Sequence, residues 1–381
     1  MPADVVATLA DLVSIPSVNP MGGPLSDSEH GEAAVAAYVA DFLGRCGLDV
    51  ETQQVARGRE NVLAVAEGRD RTKTLLLETH MDTVGVESMT VDPFFGEAED
   101  DRLYGRGACD AKASLAAMLV AVEHALARGV PPTTVALCAV ADEEATFGGA
   151  ARLVQSGFRA TWAVVGEPTR LDVIVAHKGA SRWRLRTEGR SAHGATPHEG
   201  INAIYRMARV VGALEQYADD LSRRPGHPQL GPPTLNVGTI TGGETVNTVP
   251  AWCEILVDRR TLPGESPDGV DEELRAWLHN ALPEVDCLVA GTLRALPLEG
   301  SEGEPWARRV LQAAQRARPG AAFRYVGYST DASRLAHAGM VAVVAGPGDE
   351  RQAHTADEWV ALDQVRQAVN LYEELLTQPP G

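Results

Sequence analysis

Apolar residues fall along the chain in two textures. Short, nearly continuous runs (NVLAVAEG, TKTLLLETH, TTVALCAVA, TWAVVGEP and, late in the chain, GMVAVVAGPG) have the length and composition of strands buried on both faces. Between them, helical patterns appear near residues 3–13, over HGEAAVAAYVADFLGRCG and over SLAAMLVAVEHALARG. Gly47 stands where a helix C-cap is expected, and Gly129 with two prolines closes the third pattern. Strands alternating with helices predict an α/β domain whose mostly parallel sheet is flanked by helices.

Between about 179 and 292 the texture changes. ASRWRLRTEG and AWCEILVDRR alternate polar and apolar positions, as antiparallel strands with one solvated face do, and helices are expected near 200–222 and 268–281. EPWARRVLQAAQRA then resumes the first pattern. The chain therefore reads as a discontinuous domain over 1–178 and 293–381, interrupted by an α+β domain over 179–292 with an antiparallel sheet.

Composition narrows the function. The 52 acidic side chains outnumber 34 basic ones, a formal charge of −18, so recognition of a nucleic acid through a general positive field is not expected. No apolar run is long enough to span a bilayer, and MPADVVATLADLV lacks the basic start of a secretory signal. Five scattered cysteines, never spaced CxxC, argue against a disulfide framework and for a reducing cytoplasm. Of the basic residues only Lys73, Lys112 and Lys178 are lysines.

Metal-ligand side chains recur at the downstream ends of the apolar runs. LLLETHMD ends in His80 and Asp82, VALCAVADEE in Asp142, Glu143 and Glu144, and WAVVGEP in Glu167; His354 lies beyond the last run and Asp110 before a helix. In open α/β sheets ligands gather outside the carboxyl ends of the strands. Two histidines and three carboxylates suit a pair of divalent ions with one bridging carboxylate, zinc first, cobalt or manganese as alternatives.

The ordered strings ETHMDTV, GRGACDAKAS, ADEEATFGGA, VVGEPT, GRSAHGATPHEGINAI, GGETVNTVP, STDA and GPGDERQAHTADE resemble the dinuclear-zinc amidohydrolase and exopeptidase family. That family includes acetylornithine deacetylase, succinyl-diaminopimelate desuccinylase, aminoacylase and glutamate carboxypeptidase. The resemblance covers nearly the whole chain. It implies Asp110 as bridging ligand, His80 and Glu167 on one metal, Glu144 and His354 on the other, and Glu143 as general base toward a metal-bridging water. Asp82, on the same side of an extended chain, would orient His80. His193 would stabilise the oxyanion in a partner subunit, and Asn247 and Arg260 would hold the substrate's carboxylate. Thr79 and Ala113 stand where the family usually has glycine.

Blander readings apply elsewhere. Asp142 is expected to be a hydrogen-bonded or solvated loop acid, His198 structural, His177 and Lys178 packing or hinge residues, and Cys109 a buried hydrophobe. Arg259 competes with Arg260 for the carboxylate. An extended backbone would send Glu143 and Glu144 to opposite sides and so to different tasks. The expected protein is a cytoplasmic homodimer, paired through the inserted lid domain, that hydrolyses the amide bond of an N-acyl amino acid. Glu167, at a position where aminopeptidase members generally carry Asp and deacylases and carboxypeptidases Glu, favours deacylation or carboxypeptidase action over aminopeptidase action; among these a biosynthetic deacylase ranks first. A carboxypeptidase or dipeptidase acting on short peptides, or an inactive relative serving as a binding module, are the alternatives.

Overall fold

The computed structural model describes residues 3–23, 25 and 31–378. Met1 and Pro2 of MPADVVATLADLV and His30, which opens HGEAAVAAYVADFLGRCG, lie outside the described residues. Two compact units emerge, Met1–Ala176 with Gly300–Arg324 and Thr330–Gly381, and His177–Glu299 with Tyr325–Ser329.

The first unit is built on an eight-stranded sheet. Its order is Val50–Ala56, Arg59–Ala66, Thr133–Val140, Asp70–His80, Trp162–Val165, Val341–Val344, Val173–His177 and Phe323–Val326. The four strands from Thr133–Val140 to Val341–Val344 run parallel, and their neighbours toward the margins pair antiparallel. Leu77 lies in register with Leu137 on one side and Val164 on the other, so the apolar runs stack side by side and all point the same way. All eight residues of Thr133–Val140 are buried, as expected of a strand covered on both faces. The helix Lys112–Ala127 is also buried nearly all round, packed against Leu362–Thr377. Asp4 caps the first helix, Val5–Ser14, by accepting the amides of Val6 and Ala7, and Gly47 closes Ala33–Arg45 at φ +80°.

The second unit holds a four-stranded antiparallel sheet ordered Thr234–Gly242, Trp252–Thr261, Gly179–Glu188 and Cys287–Ala295. One face packs Trp183, Leu185, Ile255 and Val257 against Met207, Leu214 and Tyr217 of the helix Ala203–Arg223 and Leu274 of Pro267–Ala281. The other face carries ion pairs such as Arg182 with Asp258 and Arg184 with Glu254. The alternation of RWRLR and CEILV reflects this division.

Residue 292, where the texture suggested a return to the first unit, falls inside the strand Cys287–Ala295, and the second unit runs on to Glu299. That edge strand is mostly exposed and its register slips between Gly291 and Leu293, so it lacks a clean apolar period. The strand Val50–Ala56 was invisible for a related reason, since VETQQVA buries only Gln53.

Candidate metal centre

The parallel strands bring their carboxyl ends to one edge. His80 is the last residue of its strand and is 2% exposed. Its Nδ1 donates to the main-chain carbonyl of Asp82 at 2.8 Å, leaving Nε2 3.1 Å from Asp110 Oδ1 and 3.9 Å from Glu167. It is thus the main chain of Asp82 that meets this imidazole, while the Asp82 carboxylate lies 3.7 Å from Nδ1. That carboxylate accepts the amides of Glu143 and Glu144, both at 3.1 Å, and the side-chain amide of Asn19 at 2.7 Å.

The acid triplet is not extended. The strand ends at Val140, Asp142 turns left-handed at φ 65°, and Glu143–Thr146 form one helical turn. Glu143 and Glu144 therefore diverge because neighbours on a helix point about 100° apart, and the strand pleat plays no part. Gly149 allows the turn to close, since a Cβ there would sit 2.3 Å from the carbonyl oxygen of Ala141. Asp142 bonds Arg59, Asn19 and Thr146, the hydrogen-bonded role expected of it.

Asp110 precedes the helix Lys112–Ala127. The amides of Cys109 and Asp110 both donate to Glu358 Oε1, at 2.9 and 3.0 Å, and the other Glu358 oxygen takes Arg106 at 2.7 Å. His354, in a left-handed turn at φ 61°, places Nε2 3.3 Å from Asp110 Oδ2 and 3.2 Å from Glu144. His80, Asp110 and Glu144 each offer a ligand atom within 4.8 Å of the other two.

The electrostatics show what this cluster needs. Burial raises Glu143 and Glu167 well above the usual carboxylate range, and each also feels the other's charge or those of Glu144 and Asp110. Burial, then Asp331 and Glu167, do the same to Glu78, a fully enclosed acid two residues before His80. Burial opposes a charged His80, yet Asp110, Glu167 and Glu143 together hold its pKa well above the ordinary histidine value. His354 is pushed up to about 10 by its bonds to Asp110 and Glu144. Both histidines thus retain protons to compensate carboxylates that no lysine or arginine of the cluster neutralises. Such a donor set, nitrogen and oxygen only and short of positive charge, fits divalent ions. Lys112 cannot supply the charge. It is fully buried, donates to the Ile15 carbonyl at 2.7 Å, and burial depresses its pKa to about 7.

The second unit holds the remaining candidates. His193 is exposed, and its Nδ1 accepts the Ala195 amide at 3.1 Å, so a neutral ring carries its proton on Nε2 and presents a donor outward. Gly194 donates to the Asn247 carbonyl at 2.7 Å, which ties the two loops together and leaves the Asn247 side chain exposed. Arg260 is half-exposed and bonds Asp258 at 2.8 Å, whereas Arg259 is fully buried on Glu265 and Glu273. Of the two arginines, only Arg260 is accessible.

Residues 76–378 match the peptidase family M20/M25/M40. The chain belongs to this family. It is 32% identical over 357 residues to the acetylornithine deacetylase of Vibrio cholerae, covering 90% of each chain. A metallo-carboxypeptidase of the M20 family from Sulfolobus solfataricus superposes with a TM-score of 0.80 at 20% identity, over 98% of both chains. A dinuclear metal-binding M20 peptidase from Bacillus subtilis matches with a TM-score of 0.68 at 14% identity, over 98% of this chain and 96% of that one. This M20 chain is a hydrolase acting on amide bonds, of a metal-dependent family.

Asn19, Glu32, Arg59 and the role of Glu358 escaped the sequence reading. Glu358 ends the motif GPGDERQAHTADE, but nothing in that string reveals that it binds two amides far upstream. Arg59 and Glu32 lie outside every motif.

Proposed function

We propose that this M20 hydrolase removes the acyl group from an N-acyl amino acid, with N-acetyl substrates of the acetylornithine type first. The deacetylase relative aligned over nine-tenths of both chains carries this reading. In it, Asp110, His80, Glu167, Glu144 and His354 would hold two divalent ions, His80 and Glu167 serving one, Glu144 and His354 the other, and Asp110 both. The bound ions, zinc in first place, would polarise the scissile carbonyl and acidify a water.

The residues do the rest. Glu143, whose pKa burial raises above the usual carboxylate range, takes a proton from the attacking water and passes it to the departing nitrogen, so that acid and amine leave as products. His193 Nε2–H donates to the oxyanion as the carbonyl becomes tetrahedral. Arg260 and Asn247 hold the substrate's carboxylate. His193 is proposed to serve the site of a second subunit, in a cytoplasmic homodimer paired through the second unit. The open edge strand Thr234–Gly242, with Ile240 58% exposed, supports that pairing.

Carboxypeptidase action is the second reading, favoured by the Sulfolobus solfataricus neighbour. A panel of N-acetyl, N-succinyl and N-formyl amino acids plus dipeptides, assayed with zinc and with cobalt, separates the two. Glu143→Ala should lower kcat roughly 10²–10⁴-fold with metal content unchanged. Undiminished turnover in the metal-loaded variant would remove Glu143 as base, and a fully active monomer by light scattering would remove the role of His193 across subunits.

A further inference from the structure

Behind the acid triplet runs a buried polar chain that the proposed reaction does not use. Glu32 is fully enclosed, Arg59 is 6% exposed, and neither belongs to the metal cluster. Arg59 Nε donates to Glu32 Oε2 at 2.7 Å, its Nη2 to the other Glu32 oxygen, and its Nη1 to Asp142 Oδ1 at 2.8 Å. Glu32 Oε1 also accepts the Asp142 main-chain amide at 3.1 Å. Asn19 then links Asp142 to Asp82, whose two oxygens receive the amides of Glu143 and Glu144.

We propose that Arg59 is a positioning residue that acts through Asp142 to set the directions of Glu143 and Glu144. The inference rests on the roles proposed above for those two glutamates. A single helical turn cannot hold itself, because a short helix gains too few bonds to offset its nucleation cost. Its direction is set by the left-handed residue at its start, a conformation that costs a non-glycine side chain energy. At Asp142 the main-chain amide, the carboxylate and the carbonyl are all engaged, by Glu32, by Arg59 with Asn19 and Thr146, and by the amides of Thr146 and Gly148. Among the described residues of this hydrogen-bonded network, Arg59 is the cation. Without it Asp142, Glu32 and Asp82 would be buried acids with only neutral donors between them, and Asp142 would have reason to turn toward water. A planar guanidinium can bridge two carboxylates at fixed angles where an ammonium cannot.

The test uses Arg59→Met, Asp142→Asn, the double variant and Arg59→Lys, each loaded with zinc or cobalt, with Glu143→Ala alongside. Arg59→Met should lower kcat about tenfold to a hundredfold while KM changes far less, the pattern of a misplaced base. The visible absorption of the cobalt form should change in Arg59→Met and Asp142→Asn alike, because Glu144 shifts in both. The double variant should be no worse than Asp142→Asn, since both act through one group. Effects that multiply independently, or an unchanged kcat and cobalt spectrum in folded Arg59→Met, overturn the inference. Where Arg59→Met does not fold, Arg59→Lys carries the test, and parental kcat in that variant overturns it equally. Loss of turnover in Glu143→Ala with full activity in Arg59→Met would sink this inference alone, and full activity in Glu143→Ala would sink the base assignment beneath it.

Discussion

The two units hold their functional side chains in opposite ways. In the first, His80, Asp82, Asp110 and Glu167 stand on strand ends or adjoining turns, and Asp82 and Glu358 each grip two successive amides. In the second, His193 and Asn247 sit exposed on loops that are joined by the Gly194 amide to the Asn247 carbonyl and by a bridge between His193 and Thr248. A site that must gather like charges needs its geometry fixed in advance, because repulsion would otherwise spread the ligands. A donor that meets a transient oxyanion needs a free proton and room to reach it. Substitutions should therefore separate the regions by which property they disturb.

The sharpest contrast is expected from Asp110→Asn. Removing the carboxylate that meets both histidines should abolish metal retention on dialysis and turnover together, and the melting temperature should no longer respond to added zinc. Retention of both ions, measured by elemental analysis, would remove Asp110 as the bridge. His193→Ala comes next, with kcat roughly 10²–10³-fold lower and metal content and melting temperature unchanged. A drop in metal content there would erase the contrast between the units.

A smaller effect concerns pH. His354 has its pKa raised to about 10 and His80 is raised as well, so both bind protons in the metal-free fold that the unfolded chain has released. Their contribution is complete below about pH 6.5 and is lost as pH rises toward 10. Glu143 and Glu167, raised chiefly by burial, have the same sign, because the fold keeps protons that free carboxyls lose. Asp110, held low by its histidine partners despite burial, loses its contribution only at acid pH. The melting temperature of chelated enzyme should therefore fall between pH 6 and 9 while that of the zinc-loaded enzyme holds, so the gap widens with pH. Parallel curves by differential scanning calorimetry would mean that the cluster is not charge-starved.

Much of this was legible before any coordinates. Parallel strands buried on both faces leave apolar runs; three of these lead directly into a residue fit for a metal, and His354 lies a few residues beyond the fourth. The tip of the triplet was misread because a four-residue helix is too short to show a period, so Glu143 and Glu144 looked like a strand continuing. The partner of Asp142 could not be read at all. Arg59 stands 83 residues upstream, one arginine among many, and only folding brings it to the strand end. Glu358 was quoted within a motif, yet its grip on the Asp110 amide spans 248 residues.

The Thr79 hydroxyl donates to the Gly166 carbonyl at 2.8 Å. His80 follows one of these residues and Glu167 the other, so the bond works as a spacer between two ligands proposed for the same ion. The Gly166 amide also donates to the Glu78 carbonyl at 2.8 Å, so side chain and backbone together hold the two strand ends at one spacing. Release of an ion held there would then depend on how fast its own bonds break, with little help from the strands drifting apart.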